Sequence, residues 1–238
     1  MGNIIKTGLI LATITLVLGF LLGLVYMVVK EPIENAELNA KLKAIKVVLS
    51  SPGKEELIID SDELPKNLKD LEDRIWKSDE DGILFESSKY KAKVLSPAYK
   101  FTGKNGEDIY ILTGSAIGYG GSVITMASFI KKDGEFYENA IEVLDYSQET
   151  PGLGARIAEK EIKKRFFGIS SNAFNASDGL KVNKDAGVLP KSNEKEIEEL
   201  KKSGVVQTSD VMTGATITPR AVVNTLNAMF EFLTQEVK

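Results

Sequence analysis

An uncharged run of 23 residues, Thr7 to Val29, constrains this chain more than any other feature. It reads TGLILATITLVLGFLLGLVYMVV and is bounded by Lys6 and Lys30. At ~1.5 Å per residue, a helix of this length crosses a ~30 Å hydrocarbon core. A secretory signal peptide is the competing reading. Its apolar core is usually about 7–15 residues long and ends at a small-residue cleavage site. This run is longer, and the following Lys30-Glu-Pro-Ile-Glu-Asn35 offers no A-x-A site. A retained anchor over residues 1–30 is therefore expected. Gly19-Phe-Leu-Leu-Gly23 has the spacing that lets a second membrane helix approach closely. Glycine is also simply common in membrane helices, and that plainer reading is preferred. A count of flanking positive charge (Lys6 on one side; Lys30, Lys41, Lys43 and Lys46 on the other) would leave the C-terminal domain in the cytoplasm. Long domains translocate largely regardless of such counts, so charge leaves the side open.

The remaining chain is long enough for one globular domain. Residues 31–60 read as a connecting segment. Within it Glu34 to Leu49 is an amphipathic helix with Leu38, Leu42, Ile45, Val48 and Leu49 on one stripe, stopped by Ser51-Pro-Gly53. Residues 61–238 form the domain. Asp60 to Asp81 is highly charged, with a short helical stretch at Leu68–Trp76. The hydrophobic period then changes to two. Tyr90–Leu95, Glu107–Thr113, Ser122–Ile130 and Ala140–Tyr146 read as strands, with turns at Gly103–Gly106 and Lys132–Gly134. Asn193 to Lys202 is a capped helix ending at Gly204, and Arg220 to Glu236 is a closing helix with Val222, Val223, Leu226, Met229, Phe230 and Leu233 on one face. The expected class is α+β: an antiparallel sheet covered by helices.

Composition narrows the chemistry. The chain has no cysteine and no histidine. This excludes thiolate nucleophiles, Fe–S clusters and cysteine zinc sites, and removes the commonest general base and metal ligand. No metal site and no catalytic side chain is expected. Redox work by such a chain would need a bound cofactor. A net charge of −4 argues against a nucleic-acid partner.

Three stretches concentrate glycine and hydroxyls: Gly114-Ser-Ala-Ile-Gly-Tyr-Gly-Gly121, Glu149-Thr-Pro-Gly-Leu-Gly154, and Asp210-Val-Met-Thr-Gly-Ala-Thr-Ile-Thr218-Pro219. In the last, Thr218 reads as a helix N-cap and Pro219 as the first helical residue. A helix N-terminus also offers free N–H groups and partial positive charge to a phosphate, and Gly214 and Ala215 keep the approach open. Locally, the plain cap is the better-supported reading. Gly152-Leu-Gly154 is either a turn or a backbone surface for a flat ligand, with Leu153 against a ring face. Gly118-Tyr-Gly-Gly121 is either a bulged strand entry or a close approach.

Taken in this order behind one anchor, the three segments resemble the RnfG family, the FMN-binding subunits of the Rnf electron-transport complex. The related FMN-carrying subunit of the sodium-translocating NADH:quinone reductase is similar too. The resemblance runs over essentially the whole chain, and is strongest at Gly118–Gly121, Glu149–Gly154 and Thr213-Gly-Ala-Thr-Ile-Thr218. It implies covalent FMN, attached by a flavin transferase through a phosphoester to Thr218. It implies a phosphate loop of Thr213, Gly214, Ala215 and Thr216, with Glu149, Thr150, Gly152, Leu153 and Gly154 against the isoalloxazine or ribityl chain. Asp210 would orient the loop or serve the transferase, or be only a solvated carboxylate. The resemblance also implies a single-pass protein of the cytoplasmic membrane with its domain on the extracytoplasmic side. Its partners would be the other Rnf subunits and membrane lipid. Its task would be relaying electrons within a ferredoxin:NAD⁺ oxidoreductase coupled to sodium or proton transport. Two departures stand out: Ser147 where the family often has histidine, and Thr213 where serine is common. The alternatives are a stand-alone anchored FMN shuttle or quinone-reductase subunit, and a non-redox assembly protein in which the glycine motifs are only turns.

Overall fold

A computed structural model describes residues 2–52, 54 and 56–237. It divides into two compact units, the first ending at Lys41 and the second beginning at Leu42. Helix α1 (Gly2–Val48, 47 residues) runs through the first unit. There its apolar side chains, such as Leu16, Leu22 and Val28, lie exposed. Thr7, Thr13 and Thr15 donate their hydroxyls to carbonyls of their own helix at 2.8–3.1 Å. Those hydroxyls are thus satisfied without any partner from lipid. This helix fits a single-pass membrane anchor by length and composition. The anchor and the amphipathic segment expected after it are one element. Pro32 lies inside α1 and removes one backbone hydrogen bond without ending it. The Gly53 expected to stop it lies outside the described residues.

In the second unit the stripe expected on α1 is buried from Ile45 onward, with Val48 and Leu49. After it come α2 (Leu68–Glu72), β1 (Ile75–Lys77), β2 (Ile83–Ser87), β3 (Ala92–Thr102), β4 (Asp108–Ile117), β5 (Ser122–Lys132) and β6 (Glu135–Asp145). Next are α3 (Lys160–Lys163), α4 (Ser171–Phe174), β7 (Lys181–Val182), α5 (Glu194–Lys202), β8 (Val205–Val206) and α6 (Ile217–Glu236). The main sheet is antiparallel, in the order β1-β3-β4-β5-β6, with β2 also paired to β3. β7 and β8 form a small parallel pair.

Two expectations change here. The helical stretch expected over Leu68–Trp76 ends at Glu72. Ile75 instead pairs with Tyr99, and the Trp76 ring meets Tyr110 at 4.8 Å and Phe232 at 6.0 Å. Aromatic packing against the sheet outweighs the local helical pattern there. The strand expected at Tyr90–Leu95 begins at Ala92 and continues to Thr102 through a cis Ser96–Pro97 bond.

The sheet sorts its side chains with period two. On β4, Tyr110 and Leu112 join the core that packs under α6 with Leu226, Met229 and Leu233, while buried Ile109 and Ile111 take the opposite face. The end of α1 is held on that opposite face. The Val48 carbonyl accepts hydrogen bonds from Ser128 Oγ (2.6 Å) and Asn139 Nδ2 (2.7 Å). Helices on both faces of an antiparallel sheet give the expected α+β architecture. On β4, a Cβ at Gly114 would lie 2.8 Å from Thr225 Cγ2, so glycine there is what lets α6 sit close. α5 is capped as the sequence implies, with the Asn193 side chain accepting from the Lys195 N–H at 2.9 Å. α6 delivers its N-terminal turn to one end of the sheet.

A cleft at the N-terminus of α6

The three glycine-rich segments meet at that turn. Glu149 is the centre of the junction. It is 3% exposed, and its two oxygens face different segments. Oε1 accepts from the Gly120 N–H at 3.1 Å, in the turn joining β4 and β5. Oε2 accepts from the Thr218 hydroxyl at 2.5 Å, in the first turn of α6. The third segment closes against the same carboxylate. A Cβ at Gly154 would collide with Glu149 Oε2 and lie 2.7 Å from Thr218 Oγ1. A Cβ at Gly118 would collide with Glu149 Oε1, and one at Gly120 or Gly121 with Gln148. Gly118, Gly120, Gly121 and Gly154 therefore let the chain close around Gln148 and Glu149.

Thr218 is not the N-cap. The helix starts at Ile217, Thr216 holds the cap position without a side-chain cap, and the first helical bond runs from the Arg220 N–H to the Thr216 carbonyl at 3.2 Å. Thr218 thus lies one residue inside. Its hydroxyl is drawn inward because a buried carboxylate is a stronger acceptor than anything the cap geometry offers. Pro219 still falls within the first turn, where its missing N–H would have had no acceptor.

The loop leading into α6 is pinned on several sides. Met212 is buried, and Asn183 Oδ1 accepts from the N–H groups of Thr208 and Ser209. Arg156, on the 3₁₀ turn after Gly154, donates to the Val211 carbonyl at 2.9 Å. Arg220 forks onto Asp185 at 2.5 and 2.6 Å. Gly214 has φ +87° and Gly152 has φ +73°, and a Cβ at Gly152 would meet nothing within 4 Å. The backbone at these two corners is thus turned with glycine's conformational freedom, and space lies beyond it at Gly152, while a Cβ at Gly214 would touch Leu153 at 3.7 Å.

Together the segments line a cleft of about 470 Å³, within the range of small-molecule sites. Its walls are Tyr119, Glu149, Thr150, Leu153, Gly154 and residues 214–218. Tyr119 is 73% exposed, and Leu153 and Ile217 also show apolar surface to solvent. The first N–H groups of α6 have no acceptor within the helix and carry its positive dipole end. Thr216 lines the cleft and its hydroxyl makes no cap bond, whereas Thr218 is 1% exposed with its hydroxyl engaged by Glu149. Apolar flanks for a ring and a hydroxyl beside a helix N-terminus for a phosphate fit a flavin mononucleotide.

Of the residues expected at the site, Glu149, Thr150, Leu153, Gly154, Gly214, Ala215, Thr216 and Thr218 line the cleft. Gly152 turns the backbone beside it. Thr213 and Asp210 do not line it. The Thr213 hydroxyl turns back to the Ser209 carbonyl at 3.4 Å, and Asp210 is paired with Arg165 at 2.8 Å. Tyr119 and Ile217 are additions. The signal for Tyr119 was an aromatic side chain set between glycines on a turn, too small to bury it.

Comparison with known proteins agrees with this geometry. Residues 118–231 match the FMN-binding domain family. No curated protein sequence matches. A solved structure assigned as an RnfG subunit of an electron transport complex, from Thermotoga maritima, is 38% identical, with a TM-score of 0.63. The match covers 84% of this chain and 99% of that one.

Proposed function

Since the chain belongs to the FMN-binding-domain family, with the RnfG-type subunits of electron transport complexes, we propose that it is an anchored flavoprotein whose FMN is covalently held in the cleft at the start of α6. The observation that carries this reading is the cleft itself. It sets a helix N-terminus and a cap-position hydroxyl beside exposed apolar walls, and it is built from all three glycine segments. FMN supplies one- or two-electron transfer, so no protein acid or base is required. The chain's own residues hold and shield it. The α6 N–H groups and Thr216 take the phosphate, Leu153 and Tyr119 flank the ring, and Glu149 joins the walls from behind. In this role the protein relays electrons within an Rnf-type ferredoxin:NAD⁺ oxidoreductase coupled to sodium or proton transport. Its domain is extracytoplasmic, its neighbours are the other subunits, and a flavin transferase loads it. A covalent bond suits a compartment where lost FMN is not replaced.

The tether is best placed on Thr216. A phosphoester needs a hydroxyl free to meet the phosphate, and the Thr218 hydroxyl, though at the cleft, is buried and donated to Glu149. Attachment at Thr218, as the family resemblance implies, is the second reading and requires that hydrogen bond to open. Co-expression with a flavin transferase, followed by intact mass and in-gel fluorescence after denaturation, tests both. The wild-type chain should carry a mass increment of FMN less water. Thr216→Val should lose the fluorescence and Thr218→Val should keep it. The reverse pattern moves the tether to Thr218. A colourless wild-type protein refutes the flavoprotein reading and favours an assembly role.

A further inference from the structure

We propose that a basic groove in the second unit, separate from the cleft, binds the anionic headgroups of a phospholipid surface. The groove has a volume of about 540 Å³ and is lined by Lys43, Lys46, Lys54, Lys160, Lys163 and Lys164, with Glu142 as its one carboxylate. The chain as a whole is acidic, at −4, so this concentration of positive charge runs against the overall balance. Two of the lysines are already matched. Lys163 Nζ lies 2.6 Å from each oxygen of Glu142, and Lys164 pairs with Glu161 at 2.8 Å. Lys43, Lys46, Lys54 and Lys160 are exposed and form no salt bridge among the described residues. Ammonium groups gathered round one groove repel each other, and an anion seated between them relieves that repulsion. Lysine is a compact, rotatable donor. It suits phosphodiester groups that arrive in varied orientations better than one planar partner held in register. Val47 and Phe167 add an apolar side to the groove.

Chain connectivity favours a lipid surface as the source of the anion. The inference rests on α1 being the anchor. The apolar run ends at Val29, and Lys43 follows fourteen residues later. Even a fully extended connection of that length spans at most about 50 Å. An anchored chain therefore keeps the groove within a few nanometres of lipid at all times. Tethering raises the effective concentration of that surface, and lysine clusters just beyond a membrane helix are attracted to anionic lipid.

The test uses the full chain reconstituted in vesicles of phosphatidylcholine alone, or with phosphatidylglycerol added. An amine-reactive label read by mass spectrometry reports each lysine, with Lys104 and Lys195 as references outside the groove. Labelling of Lys43, Lys46, Lys54 and Lys160 should slow several-fold on the anionic vesicles only, and high salt should restore it. Each of Lys43→Gln, Lys46→Gln and Lys160→Gln should cut the surface-held population about fivefold and re-expose Lys54. These exposed changes should leave Trp76 fluorescence unaltered. Equal labelling on the two vesicles overturns the proposal. So does protection on phosphatidylcholine produced by free glycerol phosphate, which would make the groove a site for a soluble anion. Protection seen only in membranes containing the partner subunits would make it a protein-docking surface and also defeat the lipid reading.

Discussion

The Glu149–Thr218 hydrogen bond lends itself to a quantitative test. Both residues are almost wholly buried, and the bond is short, at 2.5 Å. A hydrogen bond to a charged group contributes ~1.5–3 kcal/mol, and a buried donor left without a partner costs ~1–3 kcal/mol. Glu149→Ala strands two donors, the Thr218 hydroxyl and the Gly120 N–H, so a loss of roughly 2–6 kcal/mol is expected. Thr218→Val keeps the shape but deprives the carboxylate of one donor, for a loss of about 1–3 kcal/mol. The double variant strands fewer groups than the two single changes together, and the cycle should return a coupling of about 2 kcal/mol. Urea titration of the full chain in detergent can be followed by Trp76, the one tryptophan in the sequence, which packs edge-on to Tyr110 in the core. A matched cycle of Glu149→Ala with Thr216→Val is the control. Thr216 makes no side-chain cap bond, so its coupling should be near zero. A Glu149–Thr218 coupling below about 0.5 kcal/mol, or one equal to the control, would refute the reasoning.

Two further outcomes follow from single residues. Burial pushes the Glu138 carboxyl well above its ordinary value of 4.5, against the weaker pull of the Ile169 N–H and of Lys201. An acid whose folded value is raised binds its proton more tightly in the folded state. Its stability contribution is complete below 4.5 and is lost as pH climbs through the raised value. Urea titrations across that range should show wild-type stability falling with pH, and Glu138→Gln a flatter profile. Parallel profiles would show that Glu138 does not carry the slope. Asp210→Asn breaks a partly exposed pair with Arg165, so thermal melting should shift by less than about 1 kcal/mol in stability. Flavin loading in cells should fall if the carboxylate serves attachment, and unchanged loading would leave it a role in holding the loop.

Much of this fold was legible because its signals are local. The apolar run, the period-two stretches that became β4, β5 and β6, and the Asn193 cap each declare themselves within a dozen residues. β1 and β2 did not. Ile75–Lys77 becomes a strand only because β3 offers an edge and Tyr110 and Phe232 offer a bed for Trp76. The site divides in the same way. Its glycines and threonines were visible, and so was Glu149 as a member of a motif. What sequence could not disclose is that both oxygens of Glu149 accept hydrogen bonds from distant segments of the chain. That depends on Gly120, Gly154 and Thr218 arriving from three separate segments. For the same reason Thr218 reads locally as a cap, yet its hydroxyl turns to an acceptor 69 positions earlier in the chain.

The packing of glycines around Glu149 has an evolutionary corollary. Gly118 and Gly154 cannot gain a methyl group while the carboxylate occupies its present place. The three positions therefore cannot drift separately. Descendants of this sequence that keep the glutamate should keep both glycines. Shortening the glutamate alone would free neither, because a Cβ at Gly118 would still lie 2.8 Å from Val123 Cγ2 and one at Gly154 2.7 Å from Thr218 Oγ1. Across a deep alignment these positions should be retained as a set, joining stretches of chain that are never neighbours in sequence.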